Sequence, residues 1–228
     1  PIWEQVYATH RTRGTFSISV QAMGQRALAN LALQHLCLSA VGNPESDWPD
    51  QALHAFSRAT NMTDRMGALQ ALVHAQHPHA DQALSQFHQL FVHDELVIDK
   101  WFALQASAPD QDGSVLDQVK RLMRHPDFQL RNPNRARSLI STYCHANPAA
   151  FHRADASGYV FWSERVMEID AINPQVAARL ARALDRWRNL AQPYQHAAAE
   201  ALKRIAAKAD LSKDVREVVT RALQETKP

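Results

Sequence analysis

The sequence predicts an all-α protein, an α-solenoid of antiparallel helix pairs of the HEAT or armadillo kind with about a dozen helices. Three observations predict it. Ala and Leu dominate the 228 residues, with only 6 glycines and few β-branched runs. Internal prolines at 44, 49, 78, 109, 126, 133, 148, 174 and 193 fall at or near the boundaries of periodic segments. A proline inside a helix clashes and removes a hydrogen bond, so this spacing reads as punctuation. Between the prolines, apolar residues recur at helical spacing, and no segment alternates as a strand. No fixed-period repeat stands out, so any repeat is structural and degenerate. A globular bundle is the alternative.

The elements follow in order. Ile2 to about His10 forms the first helix, and Arg13-Gly14-Thr15 breaks it. Ser17 or Ser19 starts a long helix through Met23, Leu28, Leu31 and Leu36, which Gly42-Asn43-Pro44 ends. Asp47 to Ala59 carries Leu53 and Phe56 on one face. Asn61-Met62-Thr63-Asp64 reads as a cap before Met66, Leu69, Leu72 and Val73. Pro78 to Val92, Asp94 to Ala106 and Val115 to Met123 come next. Three Asn-Pro pairs then open a helix from Pro133, a short turn at Pro148 and a helix from Pro174. Asn caps a helix well, and Pro fits its first position, where no amide hydrogen is needed. Ser157-Gly158-Tyr159 precedes a helix over Phe161 to Ile169. Pro193 to Ala207 and Leu211 to Leu223 close the chain, with Ser212, Asp214 and Glu217 making an acidic start to the last helix.

Composition narrows the function classes. The formal net charge is +2, too small by itself to argue for nucleic acid. No apolar run reaches membrane-spanning length. Cys37 and Cys144 sit in apolar helical contexts and read as buried thiols of a reducing compartment. His74, His77 and His79, with His88 and His93 nearby, lack the spacing of a zinc site, and His77-Pro78-His79 reads as a polar helix junction. Cys144 and His145 are adjacent, so on a helix they point about 100° apart. No glycine-rich phosphate loop or nucleophile elbow is present. His93-Asp94-Glu95-Leu96 reads as a helix start. No catalytic or metal-ligating residue is assigned.

Arginines form two basic stretches: 121, 124, 131, 135 and 137, then 165, 179, 182, 186 and 188. After Pro133 the predicted buried face is Ala136, Leu139, Ile140 and Tyr143, with Arg135 and Arg137 flanking it on opposite sides. After Pro174 the face is Val176, Leu180, Ala183 and Trp187, with Arg179 on its flank. Flanking arginines either line a groove or are simply solvated or ion-paired. Trp101, Phe102, Phe161 and Trp162 are core residues by default, although Asp99 to Gln105 can also present a ring to a partner.

Several strings go further than periodicity. They are Gly24-Gln25-Arg26-Ala27-Leu28-Ala29-Asn30, Asn61-Met62-Thr63-Asp64 with Ala68-Leu69, and Asp99-Lys100-Trp101-Phe102. Next come Asn132-Pro133-Asn134-Arg135 with Arg137-Ser138-Leu139-Ile140, Asn147-Pro148-Ala149-Ala150-Phe151-His152, Ser157-Gly158-Tyr159 and Asn173-Pro174-Gln175-Val176-Ala177. In this order, over about Thr15 to Leu223, they resemble the C-terminal helical domain of bacterial aminopeptidase N, a zinc metallopeptidase of the gluzincin type.

The resemblance implies one helical domain over 1–228, with a connecting helix over 1–14 and the repeat array over 15–225, cut from a larger multidomain enzyme. It implies a cap that encloses the active-site cavity, controls substrate access and contacts the peptide beyond the scissile bond. No cofactor is expected on this chain. The Zn2+ belongs to the catalytic domain upstream in the same polypeptide, so the chain alone is not expected to hydrolyse peptides. Arg137 and Arg179 match the family's cavity-lining arginines, with Arg135 and Asn134 as weaker matches. The expected partners are that catalytic domain and peptide substrate, with no nucleic acid and no membrane, in the bacterial cytoplasm. A free-standing HEAT-like scaffold that binds a protein partner is the alternative. Nucleic-acid binding through the arginine stretches is a third reading.

Overall fold

Asparagine side chains set where four of the helices begin. Oδ1 of Asn61 accepts from the Asp64 amide at 2.9 Å, and that of Asn173 from the Val176 amide at 3.2 Å. Asn132 accepts from the amides of Asn134 and Arg135 at 3.0 and 3.3 Å, and Asn147 from that of Ala150 at 3.4 Å. Each satisfies an amide that a helix start leaves without an intrahelical acceptor. At 133, 148 and 174 the following proline occupies the first turn, as the Asn-Pro pairs predict.

The computed structural model describes residues 2–11 and 14–224. Pro1, Arg13 and residue 225, which the expected elements include, lie outside them. The described residues are helices and turns, without strands. Two compact units are present, Pro1–Glu95 and Leu96–Pro228.

The first unit holds α1 (Ile2–His10), α2 (Val20–Ser39), α3 (Trp48–Arg58), α4 (Met62–His74) and α5 (His79–Phe91). Ser19 caps α2, its hydroxyl accepting from the Ala22 amide at 3.2 Å. α4 packs against α2, α3 and α5, and α1 lies along α2. Leu33, Leu36, Phe56, Leu69, Leu72 and Phe87 fill the space between them. Their burial supplies the main stabilisation, at about 2 kcal/mol for each large side chain.

The second unit holds α6 (Glu95–Ala106), counted here from Leu96, and α7 (Ser114–Leu122). There follow α8 (Pro133–Ala136), a π-turn over Arg137–Ser141, α9 (Thr142–Ala146) and α10 (Pro148–Phe151). Next come α11 (Ser157–Asp170), α12 (Pro174–Ala181), two 3-10 turns (Arg182–Leu184 and Trp187–Asn189), α13 (Tyr194–Ala206) and α14 (Lys213–Gln224). α11 to α14 pack as a layered group, α11 on α12 and α13, and α14 on α12 and α13. Trp101, Phe102, Phe161 and Trp162 are all buried, as the default reading expects.

Three expected elements differ from those observed. The helix from Pro133 is interrupted by the π-turn. The helix from Pro174 tightens into 3-10 geometry at Arg182. α11 starts at Ser157 rather than Phe161, because Asp155 Oδ1 accepts from the Ser157 amide at 3.0 Å and its hydroxyl at 2.7 Å. The glycine beside it is forced by packing. A Cβ on Gly158 would stand 2.1 Å from the Phe151 carbonyl oxygen, so only glycine lets α11 begin against the end of α10.

Candidate functional site

The Asn132 cap decides what α8 shows to solvent. It points Asn134 and Arg137 outward and turns Arg135 inward. Arg135 is 4% exposed, and its Nη1 lies 3.0 Å from Asp99 Oδ1 of α6. Its guanidinium also covers the Phe102 ring at 5.0 Å. Ser138 Oγ donates to the Arg135 carbonyl at 2.9 Å and approaches Asp99 at 3.4 Å. The Asp99-Lys100-Trp101-Phe102 and Asn132-to-Arg135 segments are therefore one structural unit. Arg135 is its internal tie, and its Nε has no acceptor.

Arg137 opens the π-turn. Its Nε donates to the Pro133 carbonyl at 3.2 Å, and its guanidinium meets the Asn134 side-chain oxygen. The Thr142 amide reaches back five residues to the Arg137 carbonyl. Such turns hold one extra residue, and they are frequent at functional positions. The extra residue widens the inward face. Ala136, Leu139, Ile140 and Tyr143 are buried as predicted, and Cys144 and Asn147 join them. Asn147 Nδ2 donates to the carbonyls of Ala106 and Ala108 at 3.0 and 2.7 Å, fixing this segment to the end of α6.

Arg179 stands in the last turn of α12, exposed. Among the described residues its side chain has no hydrogen-bond or ion-pair partner, and none joins it to the Asn134–Arg137 segment. Its helix is well anchored: Trp162 Nε1 donates to the Leu180 carbonyl at 2.9 Å. Val176, Ala177, Leu180 and Ala181 are buried beneath it. Of the predicted face, Ala183 and Trp187 are only half-buried, because the 3-10 turns rotate them away, and Leu184 is buried instead.

Arg124, Arg131, Arg182 and Arg186 are exposed like Arg179, whereas four other arginines have partners within the fold. Arg165 pairs with Glu168 at 3.1 Å, and Arg121 folds onto Gln118. Arg188 covers the Trp187 ring and donates to the carbonyls of Ala222 and Leu223, capping the end of α14. Arg153 clamps Asp110 and Asp155 at 3.1 and 3.0 Å. That contact holds the Asp155 carboxyl below its usual range, with help from Ser157. The sequence gives no sign of this clamp, since Asp110 lies far from Arg153 along the chain.

Burial pushes the Cys37 thiol up to about 12 and the Cys144 thiol well above its ordinary value, so neither is a thiolate at neutral pH. The rings of His77 and His79 meet edge to face at 4.5 Å, as the polar junction predicts. His74 Nδ1 lies 2.8 Å from Gln34 Nε2, and His79 Nε2 lies 2.8 Å from Asp50. What the exposed arginines offer is a planar fork of N–H donors suited to a carboxylate or a peptide carbonyl.

Comparison with known proteins places this geometry in a family. Residues 1–224 match the family described as a domain of unknown function, DUF3458_C, with ARM repeats. The chain is 37% identical over 219 residues to aminopeptidase N of Caulobacter vibrioides, covering 96% of this chain and 25% of that protein. It is 37% identical over 216 residues to aminopeptidase N of Haemophilus influenzae, covering 95% of this chain and 24% of that protein. The crystal structure of Legionella pneumophila aminopeptidase A in complex with aspartic acid superposes with a TM-score of 0.85 at 27% identity. It covers 97% of this chain and 26% of that one. The chain thus spans about a quarter of the length of the relatives it matches. It belongs to the DUF3458_C ARM-repeat family, as a C-terminal helical domain of the bacterial aminopeptidase N type.

Proposed function

We propose that this domain is the cap of a zinc-dependent aminopeptidase, a hydrolase that removes N-terminal amino acids from peptides in the bacterial cytoplasm. The observation that carries the reading is the match to aminopeptidase N along nearly the whole chain. In this reading the zinc and the reacting groups belong to a catalytic domain upstream in the same polypeptide. The helical domain encloses the cavity, limits entry to short peptides and contacts the substrate beyond the scissile bond. It is not catalytic alone.

Arg137 and Arg179 carry the substrate contact. An aminopeptidase grips the amino end of its substrate at the metal, so the rest of the peptide runs outward to the cap. Both arginines are exposed. Asn134 orients Arg137, and Arg135 positions that segment from beneath. No helix in the described residues is long and apolar enough to cross a membrane.

Kinetics of the full-length polypeptide test this. Arg137→Ala and Arg179→Ala should each raise KM for short peptides about tenfold, the worth of one charge-assisted hydrogen bond, with zinc content unchanged. Unaltered kinetics in the double variant would remove both residues from the substrate site. A companion assay mixes the 228-residue chain with the separately expressed upstream domains and zinc. Turnover only in the mixture is the expected result; zinc-dependent turnover by this chain alone overturns the reading.

A further inference from the structure

Arg26, on α2, is 4% exposed. No described residue gives its guanidinium a hydrogen bond or an ion pair, and its Nε is a buried donor without an acceptor. Its cation lies over the Phe16 ring at 4.7 Å, a contact that gives the guanidinium N–H groups no oxygen acceptor. Arg135, equally buried, has Asp99. A buried charge without a counter-charge is costly, so an unpaired guanidinium at this depth calls for an acceptor.

A cavity of about 330 Å3 lies against Arg26. His10, Arg11, Phe16, Asn61 and Asp64 help to line it. His10 Nδ1 is a second buried polar atom without a partner. The capped start of α4 opens on the same space, and its positive end adds to the field of the arginines. Asp64 is the one acidic residue in the lining, and its carboxylate already accepts from Asn61 Nδ2 at 2.7 Å.

We propose that this cavity binds a small oxyanion, a free carboxylate or phosphate. The Arg26 fork is its main ligand, with His10 and Arg11 completing the shell. Planar guanidinium donors match two oxygens of such a group at once. The volume leaves room for an organic substituent on the anion. This site is built from residues of the first unit alone, and it does not depend on assigning Arg137 and Arg179 to the peptide.

Thermal unfolding of the full 228-residue chain tests it, with sodium phosphate or sodium acetate replacing sodium chloride at constant ionic strength. One of the two anions should raise Tm by about 5–10 °C at a hundredfold excess over Kd. A response to phosphate alone assigns a phosphate site, and a response to acetate assigns a carboxylate site. Arg26→Met, which keeps the apolar stem and removes the charge, should lose the shift without a lower starting Tm. If Arg26→Met does not fold, Arg26→Lys keeps the charge but not the fork, and should weaken Kd about tenfold. No shift with either anion, or an undiminished shift in these variants, overturns the proposal.

Discussion

Arg135 and Asp99 show how one residue governs its surroundings. Both are largely shielded, at 5% and 15% side-chain exposure, so neither tolerates loss of the other. Asp99→Asn leaves a buried guanidinium without its counter-charge and should cost about 3–5 kcal/mol in chemical denaturation. Replacing both, as in Arg135→Met with Asp99→Leu, should cost far less. If the single and double variants are equally destabilised, the pair is not the tie described. Histidine sets the acid limit. Burial lowers the pKa of His74 and His152. Gln34 donates to His74 Nδ1, which requires the neutral ring. A histidine whose folded pKa lies below its unfolded one contributes stability that is full above about 6.5. That stability is lost as pH falls from there through the folded value. Tm should therefore decline as pH falls below about 6.5, and His74→Gln should flatten part of the decline. The two pair members were visible as residue types in the sequence, but their partnership was not, because 36 positions separate them.

Among the elements, the short ones are the most tightly specified. α10 has four residues, too few to hold itself together, and depends on Asn147. Asn147→Ala removes a cap and leaves two carbonyls at the end of α6 without their donor, at a cost of about 2–4 kcal/mol. Gly158→Ala drives a Cβ into the Phe151 carbonyl and should cost about 3 kcal/mol, seen as a lower denaturation midpoint. If Gly158→Ala behaves like wild type, α11 does not start where described. Helix starts were readable because capping and proline act within four residues. The π-turn at Arg137–Ser141 was not, since its sequence, Arg-Ser-Leu-Ile-Ser, is as compatible with an ordinary α-helix. Only the packing of Tyr143, Cys144 and Asn147 against their neighbours selects the wider turn.

For the molecule as a whole, the fold class and the family follow from the chain. Composition, proline spacing and helical periodicity are properties of consecutive residues, and they determine an all-α chain with its elements in order, while the match to an ARM-repeat family decides for the solenoid over the globular bundle. The wording of the Asn-Pro segments adds the aminopeptidase N likeness. Tertiary structure decided which arginines are free to act. By periodicity Arg135, Arg137 and Arg179 are flanking cations alike, and Arg165 and Arg188 are further members of the second basic stretch. In the folded chain Arg135, Arg165 and Arg188 are committed to Asp99, Glu168 and the end of α14, while Arg137 and Arg179 remain exposed, as do Arg124, Arg131, Arg182 and Arg186. It also decided that Arg26, one letter in a recognisable string, is a buried cation beside a cavity. The physical reason is range. Caps, turns and periodicity act over a few residues, whereas the partner of a charge is chosen by whichever distant segment the fold brings within about 4 Å of it.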